Sequence, residues 1–137
     1  DYMPPNQDII TALKQLYPDV QDIEWSQKGV YYVADCWVNG SELDVWFDAN
    51  ANWIMTEMEI FREQLPAAVN TAYEESGYGD WVIDNLTKLT FPHKSEEFVF
   101  EVQRGAQERA LYYSAYGGLL LEKDITDADD THWPDVE

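Results

Sequence analysis

Three groups of residues in this chain could do chemistry: a short Asp/Asn run, two histidines with one cysteine, and a large surplus of carboxylates. Asp48-Ala49-Asn50-Ala51-Asn52 with Glu59 further on has the ligand spacing of a calcium loop, where alternate oxygen donors and a final carboxylate surround the ion. Such a loop needs glycine at its sixth position, and Trp53 stands there. The run also lies between two strand-like segments, so it reads as a hairpin turn. His93 and His132 are the only histidines, and neither has a second ligand at zinc spacing. His93 follows a proline and reads as a solvated loop residue. Cys36 alternates with Tyr32 and Ala34 and reads as a small buried apolar group. No metal and no cofactor is therefore expected. Serine nucleophile elbows, glycine-rich phosphate loops and CxxC pairs are absent. Asn85-Leu86-Thr87 fits a glycosylation acceptor, a match that is accidental if the protein is bacterial. A glycosidase needs two carboxylates roughly 5–10 Å apart in different environments. The acid surplus makes such a pair easy to imagine and singles none out. No catalytic residue is assigned, and the chain reads as non-enzymatic.

Composition narrows the partners. Of 137 residues, 27 are acidic and 8 basic, a formal net charge of −19. Nucleic acid and anionic membrane surfaces would be repelled, whereas a basic patch on a protein would be steered inward. Aromatic residues make up 15% of the chain, which favours strands and an aromatic contact surface. One cysteine allows no internal disulfide, and no apolar run approaches the ~18 residues of a membrane span. The sequence opens on Asp1, and we read it as a mature or trimmed form whose targeting segment, a signal peptide, has been removed.

The elements that position these residues come in two similar series. Met3-Pro4-Pro5-Asn6 starts a helix through Ile9, Ile10, Leu13 and Leu16, which stops at Tyr17-Pro18. Strand patterns follow at 20–25, 30–38, 43–47 and 53–58, with Ser26–Gly29, Asn39-Gly40 and Asp48–Asn52 as turns. A second helix opens at Leu65-Pro66 and runs to about Ser76, with strands at 82–91, 96–103, 108–113 and 119–124. Adding 66 maps Asp35 to Glu101, Val45 to Leu111, Phe47 to Tyr113 and Trp53 to Leu119, a duplication signal. At the helices the offset is nearer 61. The expected fold class is α+β, a tandem repeat of helix plus four-stranded antiparallel sheet. Residues 1–62 form the first repeat, 63–125 the second, and 126–137 an acidic tail. Both sheets are expected to join into one, with the helices on one side. The tail reads as solvated, with Trp133 its candidate anchor.

Strand alternation assigns the binding candidates. It turns Tyr32, Ala34, Cys36, Leu43, Val45 and Phe47 toward the helix. The other face then carries Tyr31, Asp35, Trp37, Asp44 and Trp46, and in the second repeat Glu101 and Tyr112. Rings with scattered acids on a face no helix covers suit a protein partner. They also suit a sugar, or the face packs on the tail or on a second copy as a homodimer.

The stretches Tyr17-Pro18-Asp19…Trp25, Trp46-Phe47-Asp48…Trp53 and Leu65-Pro66-Ala67-Ala68-Val69 resemble the β-lactamase-inhibitor-like, PepSY-like family, small exported proteins of Gram-negative gut bacteria. The resemblance covers roughly Pro5 to Ile125. It departs at Ala51, where the family's turn carries glycine, and keeps that glycine as Gly117. It implies a tandem α+β, β-lactamase-inhibitor-protein-like fold and an exported location, without an established activity. The expected function is a secreted or periplasmic non-catalytic binding module, inhibitor-like, that takes an exported enzyme as its protein partner. A carbohydrate-binding module is the alternative and a carboxylate-based hydrolase the third reading.

Overall fold

Asn6 begins the first helix as the sequence requires: its side-chain oxygen accepts the Ile9 N–H at 3.1 Å, satisfying a donor that the first turn leaves without a partner. The computed structural model describes residues 5–128 and 131–134. Met3 and Pro4 of the expected helix start, and Asp129 and Asp130 of the tail, lie outside the described residues. Helix α1 spans Gln7–Leu16, followed by β1 (Gln21–Lys28), β2 (Tyr31–Val38), β3 (Ser41–Phe47) and β4 (Trp53–Glu59). A 3-10 turn (Arg62–Gln64) leads to α2 (Ala67–Glu74), β5 (Val82–Thr90), β6 (Glu97–Arg104), β7 (Gln107–Ser114) and β8 (Leu119–Asp124). The strands follow one another in sequence order in one eight-stranded sheet. Among the described residues, no helix is long and apolar enough to cross a membrane.

The chain divides into two compact units, Asp1–Met58 with Thr90–His93, and Glu59–Leu89 with Lys94–Glu137. In the first, Ile9 and Leu13 lie one helical turn apart and pack on Ala34, Cys36, Leu43, Val45 and Phe47. These are the sheet positions that alternation turns toward a helix, and burying each larger one contributes about 2 kcal/mol. Asn39 and Gly40 both take left-handed φ (52° and 82°), the two-residue turn whose twist matches a hairpin. The expected turn at Ser26–Gly29 is shorter than its polar residues suggest. Ser26, Gln27 and Lys28 stay in β1, paired with Val33, Tyr32 and Tyr31.

In the second unit Val69 and Tyr73 are the buried positions of α2. Tyr73 stacks on Phe100 with centroids 4.2 Å apart and planes 6° from parallel, and Phe100 meets Tyr113 edge-on. The helix ends at Glu74, and Gly79 lies so close to it that an added Cβ would stand 2.9 Å from the Glu74 carbonyl oxygen.

Strand pairing runs in parallel in the two units. Tyr32↔Phe47, Asp35↔Asp44 and Val38↔Ser41 have counterparts 66 residues on in Phe98↔Tyr113, Glu101↔Ala110 and Arg104↔Gln107. The irregularity between Trp46 and Phe47 recurs between Tyr112 and Tyr113. Ala51 and Gly117 both take left-handed φ, 64° and 88°. The first strands, Glu24↔Asp35 and Asn85↔Glu101, are 61 residues apart. The helix offset is 60, from Ile9 and Leu13 to Val69 and Tyr73.

Candidate functional site

Side chains on the helix-free face of the first unit are set by the register of β1 to β4. Glu24 pairs with Asp35, Asp35 with Asp44, and Asp44 with Glu57, so these carboxylates form one row across the strands. Like charges directly opposite repel. Burial first, and then the charge of Asp35, pushes the Asp44 carboxyl above its ordinary value, while Lys28 opposes the shift. One register step toward the β2–β3 turn, Trp37 lies opposite Glu42 and Gln21. A bulge in β1 between Gln21 and Glu24, with Asp22 at φ 56°, opens the strand there. A shallow cleft results, lined by Asp22, Ile23, Glu24, Asp35, Trp37 and Glu42. Trp37 is 43% exposed. It is an exposed indole beside four carboxylates, a surface suited to a cationic or amphipathic contact.

Toward the other end of the face the picture changes. Trp46 pairs with Val33 and Met55, and all three are buried. The Trp46 indole N–H donates to Glu57 Oε1 at 2.7 Å, its ring meets Tyr31 edge-on at 5.6 Å, and the Lys28 ammonium sits 5.6 Å from its centroid. Trp46 faces the side that alternation gives it but is 0% exposed, so it is a covered anchor and not a free contact. Tyr31, Asp35 and Asp44 are half-buried.

The second unit differs more. Its cross-strand row reads Asn85, Glu101, Ala110 and Lys123, so the acidic stripe has no counterpart there. Glu101 is 5% and Tyr112 2% exposed. The tail accounts for part of this cover, contrary to the expectation of a solvated end. His132, itself 5% exposed, places Nδ1 2.8 Å from the Tyr112 hydroxyl with its ring edge-on to the tyrosine. His132 makes this contact, one residue before Trp133, the anchor the sequence suggested. Lys123 lies over the Tyr112 ring at 4.8 Å.

Asp48 closes the turn expected of it. Its Oδ1 accepts the N–H groups of Asn50 and Asn52, and its Oδ2 accepts the Asn52 amide. Slight desolvation pushes its carboxyl up, but the Asn52 side chain and the two backbone donors outweigh this and hold it below the ordinary value. His93 is exposed and Cys36 fully buried. Burial first, then Asp35 and Asp44, pushes the Cys36 thiol up to about 11. No group of three or more His, Cys, Asp or Glu among the described residues is arranged to hold a metal ion.

Sequence reasoning missed Asp22, Glu24, Glu42 and Glu57 as neighbours of the assigned residues. Glu24 was within reach, since alternation from Trp25 turns it to the helix-free face. The bulge that brings Asp22 in carries no glycine to announce it.

Two helices and an eight-stranded antiparallel sheet in this order define a BLIP-like α+β fold. The chain belongs to the "Putative beta-lactamase-inhibitor-like, PepSY-like" family, whose model matches residues 30–121. It is 55% identical to a BLIP-like protein from Bacteroides fragilis, covering 98% of this chain and 96% of that one with a TM-score of 0.92. A "putative periplasmic" protein from Bacteroides eggerthii is 30% identical, with 93% and 94% coverage and a TM-score of 0.89. A DUF2874 family protein from Bacteroides uniformis is 28% identical, with 90% and 91% coverage and a TM-score of 0.87. A comparison with curated proteins finds no match.

Proposed function

We propose that this protein is an exported, non-catalytic binding module that captures a protein partner through the helix-free face of its first unit. The observation that carries the reading is Trp37, 43% exposed in a cleft whose other walls include Asp22, Glu24, Asp35 and Glu42. Exposed tryptophan is the side chain most often found dominating protein interfaces, and the surrounding carboxylates select a basic partner surface and speed its approach. Tyr31, Asp35 and Asp44 frame the contact. Trp46 anchors Tyr31 and Glu57 toward the other end of the same face. Glu101 and Tyr112 belong to the corresponding face of the second unit. The family's inhibitor-like description supports a partner of the exported-enzyme kind, and the periplasmic relative supports an exported location.

The module is a tandem repeat of helix plus four strands. Support comes from pairs, a strand irregularity and a left-handed turn residue that recur 66 positions apart. Sequence has drifted most at the acidic row, which gives the two faces different chemistry.

The test is affinity capture from periplasmic extract with the wild-type protein and with Trp37→Ala, followed by titration of the captured protein. A partner that binds wild type and loses at least about tenfold in affinity to Trp37→Ala, as a central interface tryptophan should, supports the proposal. A partner indifferent to Trp37 places binding elsewhere, and retention on a polysaccharide resin abolished by the same variant marks a sugar module.

A further inference from the structure

Strand β1 begins the eight-stranded sheet, and among the described residues β2 is its only pairing partner. Alternate residues along such an edge aim both N–H and C=O away from the sheet, where a further strand can take them. Proteins commonly blunt an edge with a bulge. Here the bulge between Gln21 and Glu24 blunts one end only. From Glu24↔Asp35 to Lys28↔Tyr31, five successive pairs are regular.

The side chains beside this edge define what it accepts. Glu24 is exposed and ends the cross-strand row of carboxylates that runs through Asp35 and Asp44 to Glu57. A residue of an added strand opposite Glu24 continues that row, and a cation there replaces like-charge repulsion with attraction. The Trp37 cleft opens at the bulged end. A second cleft shares Ile23, Glu24 and Asp35 with it and runs along β1 to Trp25 and Ser26. Lys28, the one basic residue of β1, lies at the far end, its ammonium 5.6 Å from the Trp46 centroid. On the helix side, half-buried Ile23 and Trp25 border the core, so residues between the cations meet apolar neighbours.

We infer that the β1 edge between Glu24 and Lys28 takes an extended segment of a protein partner as a ninth strand. Basic residues of that segment lie on the helix-free face and alternate with β-branched apolar ones. Main-chain bonds to the edge supply affinity, and the carboxylate row selects the charge. This specifies how the binding face proposed above engages its partner, and it rests on that reading. A second copy of the chain is the poorer occupant, because each copy carries −19 and brings another acidic edge.

The probe is a capped heptapeptide of alternating lysine and valine, compared with the same peptide N-methylated at every backbone amide. Methylation keeps the charges and side chains and removes the donors. At about ten times its Kd, the unmethylated peptide should slow hydrogen exchange of the outward amides between Glu24 and Lys28 about tenfold, since exchange then proceeds from the free fraction. The alternate amides, already bonded to β2, should not change. The methylated peptide should bind at least about tenfold more weakly, the effect of losing two or more main-chain hydrogen bonds. Glu24→Lys should cost a similar factor at about 50 mM NaCl and much less at about 500 mM, where the exposed charges are screened. The methylated peptide keeps the test valid on the wild type if that variant folds poorly. Unchanged β1 exchange at the highest soluble peptide concentration, or equal binding of the two peptides, overturns the inference. Self-association in light scattering that protects the same amides gives the edge to a second copy and overturns it as well. A captured partner that depends on Trp37 but leaves the β1 amides unprotected keeps the binding face and removes the edge, so the two readings fail separately.

Discussion

Trp37 and Trp46 lie on the same sheet face, yet their truncation should have opposite consequences. Trp46 is fully buried, bonded to Glu57 at 2.7 Å and edge-on to Tyr31. Cutting a buried tryptophan to alanine costs ~3–5 kcal/mol through lost contacts and the cavity left behind. An unfolding entropy of ~2 cal/mol/K per residue gives this chain about 0.3 kcal/mol/K, so a ~4 kcal/mol loss lowers Tm by roughly 14 °C. Trp46→Phe keeps most of the volume and loses a hydrogen bond to a charged group, ~2 kcal/mol or about 7 °C. Trp37 is 43% exposed, so Trp37→Ala should cost about 1 kcal/mol and roughly 3 °C. Circular dichroism melts and urea titrations of the three variants give the order directly. A Trp46→Ala protein melting within a few degrees of wild type, or a Trp37→Ala protein falling as far as Trp46→Ala, would refute the division into covered anchor and exposed contact. A double alanine variant cannot test binding, since its loss of capture would report unfolding.

Asp44, whose carboxyl is pushed up by burial and then by Asp35, is destabilising when ionised. Its raised value in the folded state means stability is highest below the ordinary carboxylate range and is lost as pH rises through the folded value. Asp44→Asn should therefore gain ~1 kcal/mol over wild type at pH 7, the scale of a like-charge cross-strand pair, with the gain shrinking toward pH 3; equal stability at both pH values would contradict it. At the paired turns, Ala51→Gly should stabilise by ~0.5–1 kcal/mol because Ala51 holds φ 64°. Gly117→Ala should destabilise by more than ~2 kcal/mol, since its φ is 88° and the new Cβ would lie 2.7 Å from the Ala68 carbonyl oxygen; thermal melts check both. The Cys36 thiol, buried and pushed up to about 11, should resist Ellman's reagent at pH 8 until urea unfolds the chain, and rapid native labelling would show that β2 opens.

The sheet was legible because period-two alternation and turn chemistry are local. Ala34, Cys36, Leu43, Val45 and Phe47 turn toward α1 as their spacing requires, and Asn39-Gly40 forms the hairpin its residues demand. Alternation identifies a side of the sheet, however, and not what covers that side. Trp46 and Tyr112 are on the face expected and are buried there, which depends on chain segments remote in sequence. Ser26, Gln27 and Lys28 look like a turn because they are polar, yet pairing with Tyr31–Val33 holds them in strand and only Gly29 takes left-handed φ. The tail failed for a related reason. A single histidine among aspartates carries no periodicity, so its docking on Tyr112 is visible only in space.

Strands that succeed one another in sequence order carry a kinetic consequence. Pairings join sequence neighbours, such as β2 with β3 across a two-residue turn and β6 with β7 across Gly105-Ala106. Loop-closure entropy for such hairpins is small, and low contact order speeds folding. A nascent first unit can thus begin assembling its meander before the second has been synthesised, each hairpin templating the next. The arrangement lets the chain fold from its leading end as it is made and shortens the time its aromatic strand edges stay exposed to other chains.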